Sequence, residues 1–149
     1  MTIKEIKTAV NNVLIRHGQR VVSNETDEGY DKPAFFVRVI PISHERISPV
    51  YEDVELEVEL HYEPAIQTDE ECMRMADNID TWFAEPFAVG DRMIKPPEDI
   101  QHTTDDDIVL FSSFSIVVTR IFNENGYDGQ ETLLEEMELN LNISQGGKR

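Results

Sequence analysis

The clearest hydrophobic pattern in the chain is a strict alternation of polar and apolar residues from Asp53 to Tyr62. Apolar side chains stand at every even position of this stretch and polar side chains at every odd position. Only a β-strand has a side-chain period of two, so the pattern predicts a strand with one buried and one solvated face. The solvated face carries four carboxylates, spaced about 7 Å apart along the strand: Asp53, Glu55, Glu57 and Glu59.

Two stretches show the helical period instead, with apolar residues recurring every three or four positions. They predict helices over residues 3–16 and 69–84. Each begins with a predicted capping box, in which a threonine and a glutamate three residues later bind each other's backbone N–H groups: Thr2 with Glu5, and Thr68 with Glu71. Cys72 lies on the apolar stripe of the second helix, which predicts an inert core thiol.

The other β-branched and aromatic runs predict further strands, separated by turn-forming residues. They cover residues 20–23, 34–40, 87–95 around a turn, 99–103 and 108–122. Pro41 and Pro49 bracket a predicted connection, and serines at 112, 113 and 115 predict a bend or bulge in the last strand. Strands follow strands here instead of alternating with helices. The order therefore predicts an α+β fold, with a mostly antiparallel or mixed sheet and both helices packed on one face.

The C-terminal stretch fits both a helix and a strand, and we interpret it as a helical turn over 131–136 followed by a strand over 138–143. Its apolar residues are a candidate subunit interface, predicted to add a strand to a sheet edge: Met137, Leu139, Leu141 and Ile143. We predict one domain over 1–143, with 131–143 as a candidate interface extension and 144–149 as a disordered tail.

The charge balance separates this chain from most small domains. Thirty acidic residues face thirteen basic ones, a formal net charge of −17. The excess lies after residue 46, because residues 1–46 are close to neutral. Phosphate contacts need clustered lysine and arginine, so the composition argues against nucleic-acid binding and predicts repulsion of DNA and anionic membranes. It also aids solubility. The longest apolar runs have four residues, far too short for a membrane span.

The residues that could carry chemistry give weak signals only. The single cysteine excludes an internal disulfide and a multi-cysteine metal site. His102 beside Asp105, Asp106 and Asp107 is a candidate cation site of a metal-dependent hydrolase, but an aspartate run between strands is more typical of a tight turn. The serines lack a nucleophile elbow, and there is no phosphate-binding glycine loop. We therefore predict a protein that is not an enzyme and has no catalytic residues, metal or cofactor.

Four stretches appear in an order that resembles a known family. After the first helix come Val22-Ser23-Asn24-Glu25 and Gly29-Tyr30-Asp31-Lys32-Pro33-Ala34-Phe35-Phe36-Val37. Met75-Ala76-Asp77-Asn78-Ile79 follows the acidic strand, and Leu134-Glu135-Glu136-Met137-Glu138-Leu139-Asn140-Leu141 lies near the end. Together they resemble the small tail terminator, or tail-completion, proteins of long-tailed phages and phage-tail-like particles.

The resemblance implies a structural virion protein. Six copies would form a ring that caps the tail tube, ends its polymerisation and offers the head-joining surface. The implied partners are further copies of the chain, the tail-tube protein and a head-completion or neck protein. DNA would pass through the lumen without specific binding. The resemblance also implies assembly in the bacterial host cytoplasm and a final place in the virion tail.

The sequence leaves two alternative functions open. A head-completion or neck connector ring would share the absence of catalytic chemistry. An acidic DNA mimic that inhibits a nucleic-acid-binding enzyme would use the carboxylate row itself. Within the terminator reading, Asp53, Glu55, Glu57 and Glu59 are candidates either for lining the lumen or for docking a basic neighbour.

Overall fold

The computed structural model describes residues 1–23 and 29–121. Helices α1 (Ile3–Arg16) and α2 (Asp69–Trp82) match the predicted positions. The strands are β1 (Val21–Val22), β2 (Ala34–Arg46), β3 (Tyr51–Glu63), β4 (Phe87–Val89), β5 (Arg92–Ile94), β6 (Ile100–Thr104) and β7 (Leu110–Ile121). Five of them form a mixed sheet in the order β1-β2-β3-β7-β6, and β4 and β5 form a hairpin. The predicted α+β class is confirmed.

The chain divides into two compact units. The first comprises Met1–His44 and Val54–Val118, and the second comprises Glu45–Asp53 together with residues 119–121 among those described. The single domain over 1–143 stays a prediction. The features predicted at 131–136, 138–143 and 144–149 lie outside the described residues. None of the helices in the described ranges is long and apolar enough to cross a bilayer.

The predicted capping box is complete at the start of α1 and half formed at the start of α2. At α1, Glu5 N donates to Thr2 Oγ1 and Thr2 N donates to Glu5 Oε2, which completes the predicted capping box. At α2, Glu71 N donates to Thr68 Oγ1 over 3.2 Å. The Glu71 carboxylate, however, accepts hydrogen bonds from Arg74. A guanidinium donor one turn along the helix forms a charge-assisted bond, which replaces the predicted return contact to the backbone.

One hydrophobic core holds the first unit together, and it lies between the helices and one face of the sheet. Its residues come from the apolar stripes of both helices and from the inward side of the strands. Leu56 on β3 and Ile79 on α2 are both fully buried in this core, as the two patterns predict. Helix α1 contacts β1 and β4, and α2 contacts β6. The predicted packing of both helices on one sheet face is therefore confirmed.

Two details of the strands differ from the prediction. Strand β2 continues through Pro41 to Arg46, so the connection does not begin at that proline. Strand β1 pairs with β2 only at Phe35 and Phe36. Beyond them β2 has β3 as its one neighbour among the described strands, and such edge positions tolerate proline. The predicted bulge in the last strand is also wrong over residues 110–114, which pair with β6 in continuous register.

Candidate functional site

The sheet of the first unit has a second face that no described helix covers. Its side chains alternate with the buried ones along four strands and point away from the core. We call this surface the open face; it consists of Phe36 and Arg38 on β2, Glu55, Glu57, Glu59 and His61 on β3, Gln101 and Thr103 on β6, and Phe111, Ser113, Ser115 and Val117 on β7. Because β3 lies between β2 and β7, its carboxylates are half-buried by neighbouring side chains.

Aromatic rings cross one end of the open face from strand to strand. The ring centroids of Phe36 and His61 are 5.7 Å apart, and those of His61 and Phe111 are 4.3 Å apart. They line a groove of 640 Å³, the aromatic groove. In this groove Arg38 Nη1 lies 3.9 Å from Glu59 Oε1. The Arg38 and Glu59 side chains are 69% and 43% exposed, so solvent screens this ion pair and it contributes at most about 1 kcal/mol.

A second groove, of 340 Å³, adjoins the first. It is acidic, with Glu57, Glu98 and Asp99 in its wall, and we call it the acidic groove. Val117 also lines it and is 58% exposed. Gln101 and Ser113 line both grooves, so the two form one continuous surface. The open face thus combines aromatic, aliphatic and acidic groups.

Glu63, at the end of β3, binds two residues of the segment that precedes β2. Tyr30 Oη donates to the Glu63 carboxylate over 2.7 Å. Lys32 Nζ lies 3.5 Å from the same carboxylate. The hydrogen bond to Glu63 raises the pKa of Tyr30, because the carboxylate stabilises the protonated phenol. These contacts hold the chain entering β2 beside β3, and the Tyr30 ring extends the aromatic row with a centroid 5.0 Å from that of Phe36.

The four predicted carboxylates have different surroundings. Asp53 belongs to the second unit, where it accepts a short hydrogen bond from Thr119 Oγ1. Glu59 pairs with Arg38. Glu55 and Glu57 make no hydrogen bond or ion pair with any described part of the chain. The other predicted interface residues, Met137, Leu139, Leu141 and Ile143, lie outside the described residues.

His102 does not approach the aspartate run as a metal site would require. Its Nδ1 lies 2.7 Å from Ser112 Oγ, and its Nε2 lies 2.8 Å from Asp80 Oδ1. Asp105 Oδ1 instead accepts from the backbone N–H groups of residues 107 and 109, which confirms the predicted turn. Within residues 1–23 and 29–121, no group of histidine, cysteine, aspartate and glutamate side chains has the arrangement of a metal site.

The Asp80, His102 and Ser112 contacts resemble a nucleophilic triad only in composition. A nucleophile must reach its substrate, whereas Ser112 is 1% exposed and faces the core. The three side chains join α2 to β6 and β7, so their role is structural. The sequence gives no signal for this contact, because His102 and Ser112 come together only through the register between β6 and β7.

The predicted inert thiol is confirmed. Cys72 is buried on α2, and its Sγ lies 3.7 Å from the carbonyl oxygen of Ile108. Burial raises the pKa of the Cys72 thiol, because the thiolate would lose its hydration. A thiol in this state is a poor nucleophile at neutral pH.

The side chains of the described residues do not identify a function, whereas comparison with known proteins identifies a family. A model of the family described as phage tail terminator protein matches residues 5–128, which include every described strand and nearly all of both helices. None of the curated proteins matches the chain. One solved protein chain aligns over 83% of this chain and 97% of its own length, at 15% identity and a TM-score of 0.46, too low to support a conclusion. Because the family match covers most of the sequence, the chain belongs to the phage tail terminator family and is a structural protein of the phage tail.

Proposed function

We propose that this protein caps the tail tube as a ring of six copies, ends tube polymerisation and provides the surface to which the head is joined. The observation that carries the proposal is the family match over residues 5–128. The partners are further copies of the chain, the tail-tube protein and a head-completion or neck protein. Assembly takes place in the host cytoplasm, and the protein remains in the virion tail.

The described structure supports a role in assembly over one in catalysis. The one serine that a histidine and an aspartate accompany is buried, and the thiol is a core residue. The open face, by contrast, presents two adjoining grooves with exposed apolar side chains. Surfaces of this kind are typical of protein contacts, which a ring subunit must make with its neighbours, the tube and the neck.

Deletion of the gene tests the capping function. Without a cap, the tube protein continues to polymerise, so we expect tails longer than those of the parent phage when they are measured by negative-stain electron microscopy. Expression of the protein from a plasmid should restore the parental length. Tails of normal length with unattached heads would instead favour a head-completion or neck connector ring. A monomer that inhibits a nucleic-acid-binding enzyme would favour the acidic DNA mimic.

The acidic strand has two candidate uses in such a ring. If Asp53, Glu55, Glu57 and Glu59 line the lumen, six copies place about 24 negative charges around the DNA, which repel it and leave it free to slide. If they face outward, they dock a basic neighbour. Replacing all four by lysine separates these cases. A lumen role predicts normal rings and tails with impaired DNA passage, whereas a docking role predicts that assembly fails earlier, at a protein contact.

A further inference from the structure

The open face combines two properties, an acidic surface and exposed apolar side chains. We propose, on the basis of the function above, that this face docks a partner polypeptide that presents lysine or arginine side chains beside aliphatic ones. The partner is a different tail component and not a second copy of this chain. The acidic groove receives the cations, and Val117 and Phe111 receive the aliphatic groups.

The arrangement of the grooves fits such an extended segment. The acidic groove brings Glu57 on β3 together with Glu98 and Asp99 near β6, with Val117 in the same wall. The aromatic groove continues from it across Gln101 and Ser113. A lysine that reached the rings of Phe36 and Phe111 would gain a cation–π contact in addition to the carboxylate. The surface therefore offers apolar and acidic contacts within the reach of one short segment.

The apolar component distinguishes docking from a lumen lining. A channel wall that only repels DNA needs negative charge and gains nothing from exposed hydrocarbon. On the open face, Val117 is 58% exposed and Phe111 is 38% exposed. A polar side chain such as threonine would also fit a β-strand at either position. Covering this area removes apolar surface from water, which favours association. A polypeptide with aliphatic side chains would cover this surface.

The negative charge of the open face favours a cationic partner. Nucleic acids and anionic lipids are repelled by carboxylates that the protein does not neutralise, and Glu55 and Glu57 form no ion pair with the described residues. Electrostatic complementarity across an interface requires the opposite sign on the partner. A cationic polypeptide satisfies this condition and can also supply the aliphatic groups.

The chain itself is a poor source of those cations. It has thirteen lysines and arginines against thirty acidic residues. Five of these basic residues form ion pairs with acidic groups of their own chain: Arg20, Lys32, Arg38, Arg74 and Arg120. Residues 122–149 contain six acidic and two basic residues, so this segment would also be repelled by the open face. A different protein is therefore the occupant that the charges favour.

The docking chemistry can be tested with a defined probe, a decapeptide of alternating lysine and valine, titrated into the full-length protein and followed by amide chemical shifts. We expect shifts concentrated at Glu57, Phe111, Ser113 and Val117. A decapeptide of alternating lysine and serine has the same charge without the aliphatic groups, and it should bind more weakly. Equal binding of the two peptides, or shifts spread evenly over the acidic residues of α2, would overturn the proposal.

A pair of charge-matched variants tests the face in assembly. Glu57→Lys with Glu98→Lys reverses two charges of the acidic groove, and Glu70→Lys with Asp77→Lys reverses two exposed charges on α2. We expect the first pair to weaken binding of the lysine–valine peptide about tenfold or more and to reduce attachment to tails purified from the deletion phage. The second pair should leave both close to wild type. Equal effects of the two pairs would contradict a specific docking face.

Two further measurements show whether the open face is instead covered by a second copy of the chain or by its own C-terminal segment. If the Glu57→Lys and Glu98→Lys variant loses self-association in light scattering, the open face binds a second copy and the proposal fails. If the peptide binds only after residues 130–149 are removed, the chain's own C-terminal segment covers the face and the proposal also fails. Normal tail length in the deletion phage would reject the capping function alone, because the peptide titration does not depend on it.

Discussion

A buried charge in the second unit shows where a single residue departs from the hydrophobic pattern. Glu52 directly precedes the alternating stretch, in phase with its apolar residues along β3, and it is 5% exposed. Arg120 Nε donates to its Oε2 over 2.8 Å. A carboxylate loses much of its hydration in such a position, and a close, hydrogen-bonded cation offsets that cost. The partner lies 68 positions away in the sequence, so the local pattern gives no indication of it.

Removal of the cation should therefore destabilise the fold. For Arg120→Met we expect a loss of about 3–5 kcal/mol of unfolding free energy, because Glu52 is left buried without its cationic partner. Urea denaturation followed by circular dichroism measures this loss. Arg38→Met is the matched control, since it breaks the exposed pair with Glu59 and should cost less than about 1 kcal/mol. If the two variants are equally stable, the Glu52 pair is not what holds that position.

At the level of elements, the sequence predicts what local periodicity determines. The stripes of α1 and α2 and the alternation of β3 are each visible within about fifteen residues, and all three occur where predicted. The length of β2 depends instead on which strand lies beside it, and Pro41 is tolerated because of that position. The open face likewise forms only when four strands come together in one sheet. Its acidic row can be recognised in the sequence, but its aromatic and aliphatic parts come from β2 and β7.

The packing of α2 on the sheet can be tested with two substitutions to aspartate on that helix. Ile79→Asp places a carboxylate in the core and should unfold the first unit, because burying an unpaired charge costs several kcal/mol. Met73→Asp makes a comparable change at a site that is 65% exposed and should alter stability by less than about 0.5 kcal/mol. Thermal unfolding gives both values. The single Trp82, stacked on His17 with a centroid distance of 4.8 Å, reports the same transition by fluorescence. An unchanged melting temperature for Ile79→Asp would contradict the observed core.

At the level of the whole molecule, charge and apolar surface together indicate how the protein works. A net charge of −17 disfavours contact with DNA phosphates and favours partners that carry cationic groups. The sequence alone predicts the first property, because it follows from composition. It cannot predict the open face, which we propose as the docking surface, since that face depends on the order of the strands. Family membership then connects these physical properties to the phage tail.

The C-terminal segment provides the last prediction. Met137, Leu139, Leu141 and Ile143 are too apolar for a free terminus, and we expect them to pair through the main chain with a sheet edge of the same subunit or a neighbour. Truncation after Gly129 should therefore lower the melting temperature if the edge belongs to the same subunit. It should reduce the mass measured by light scattering if the edge belongs to a neighbour. Truncation after Ile143 removes only the predicted disordered tail and serves as the control. If both shortened proteins keep the parental mass and melting temperature, the segment forms no such strand.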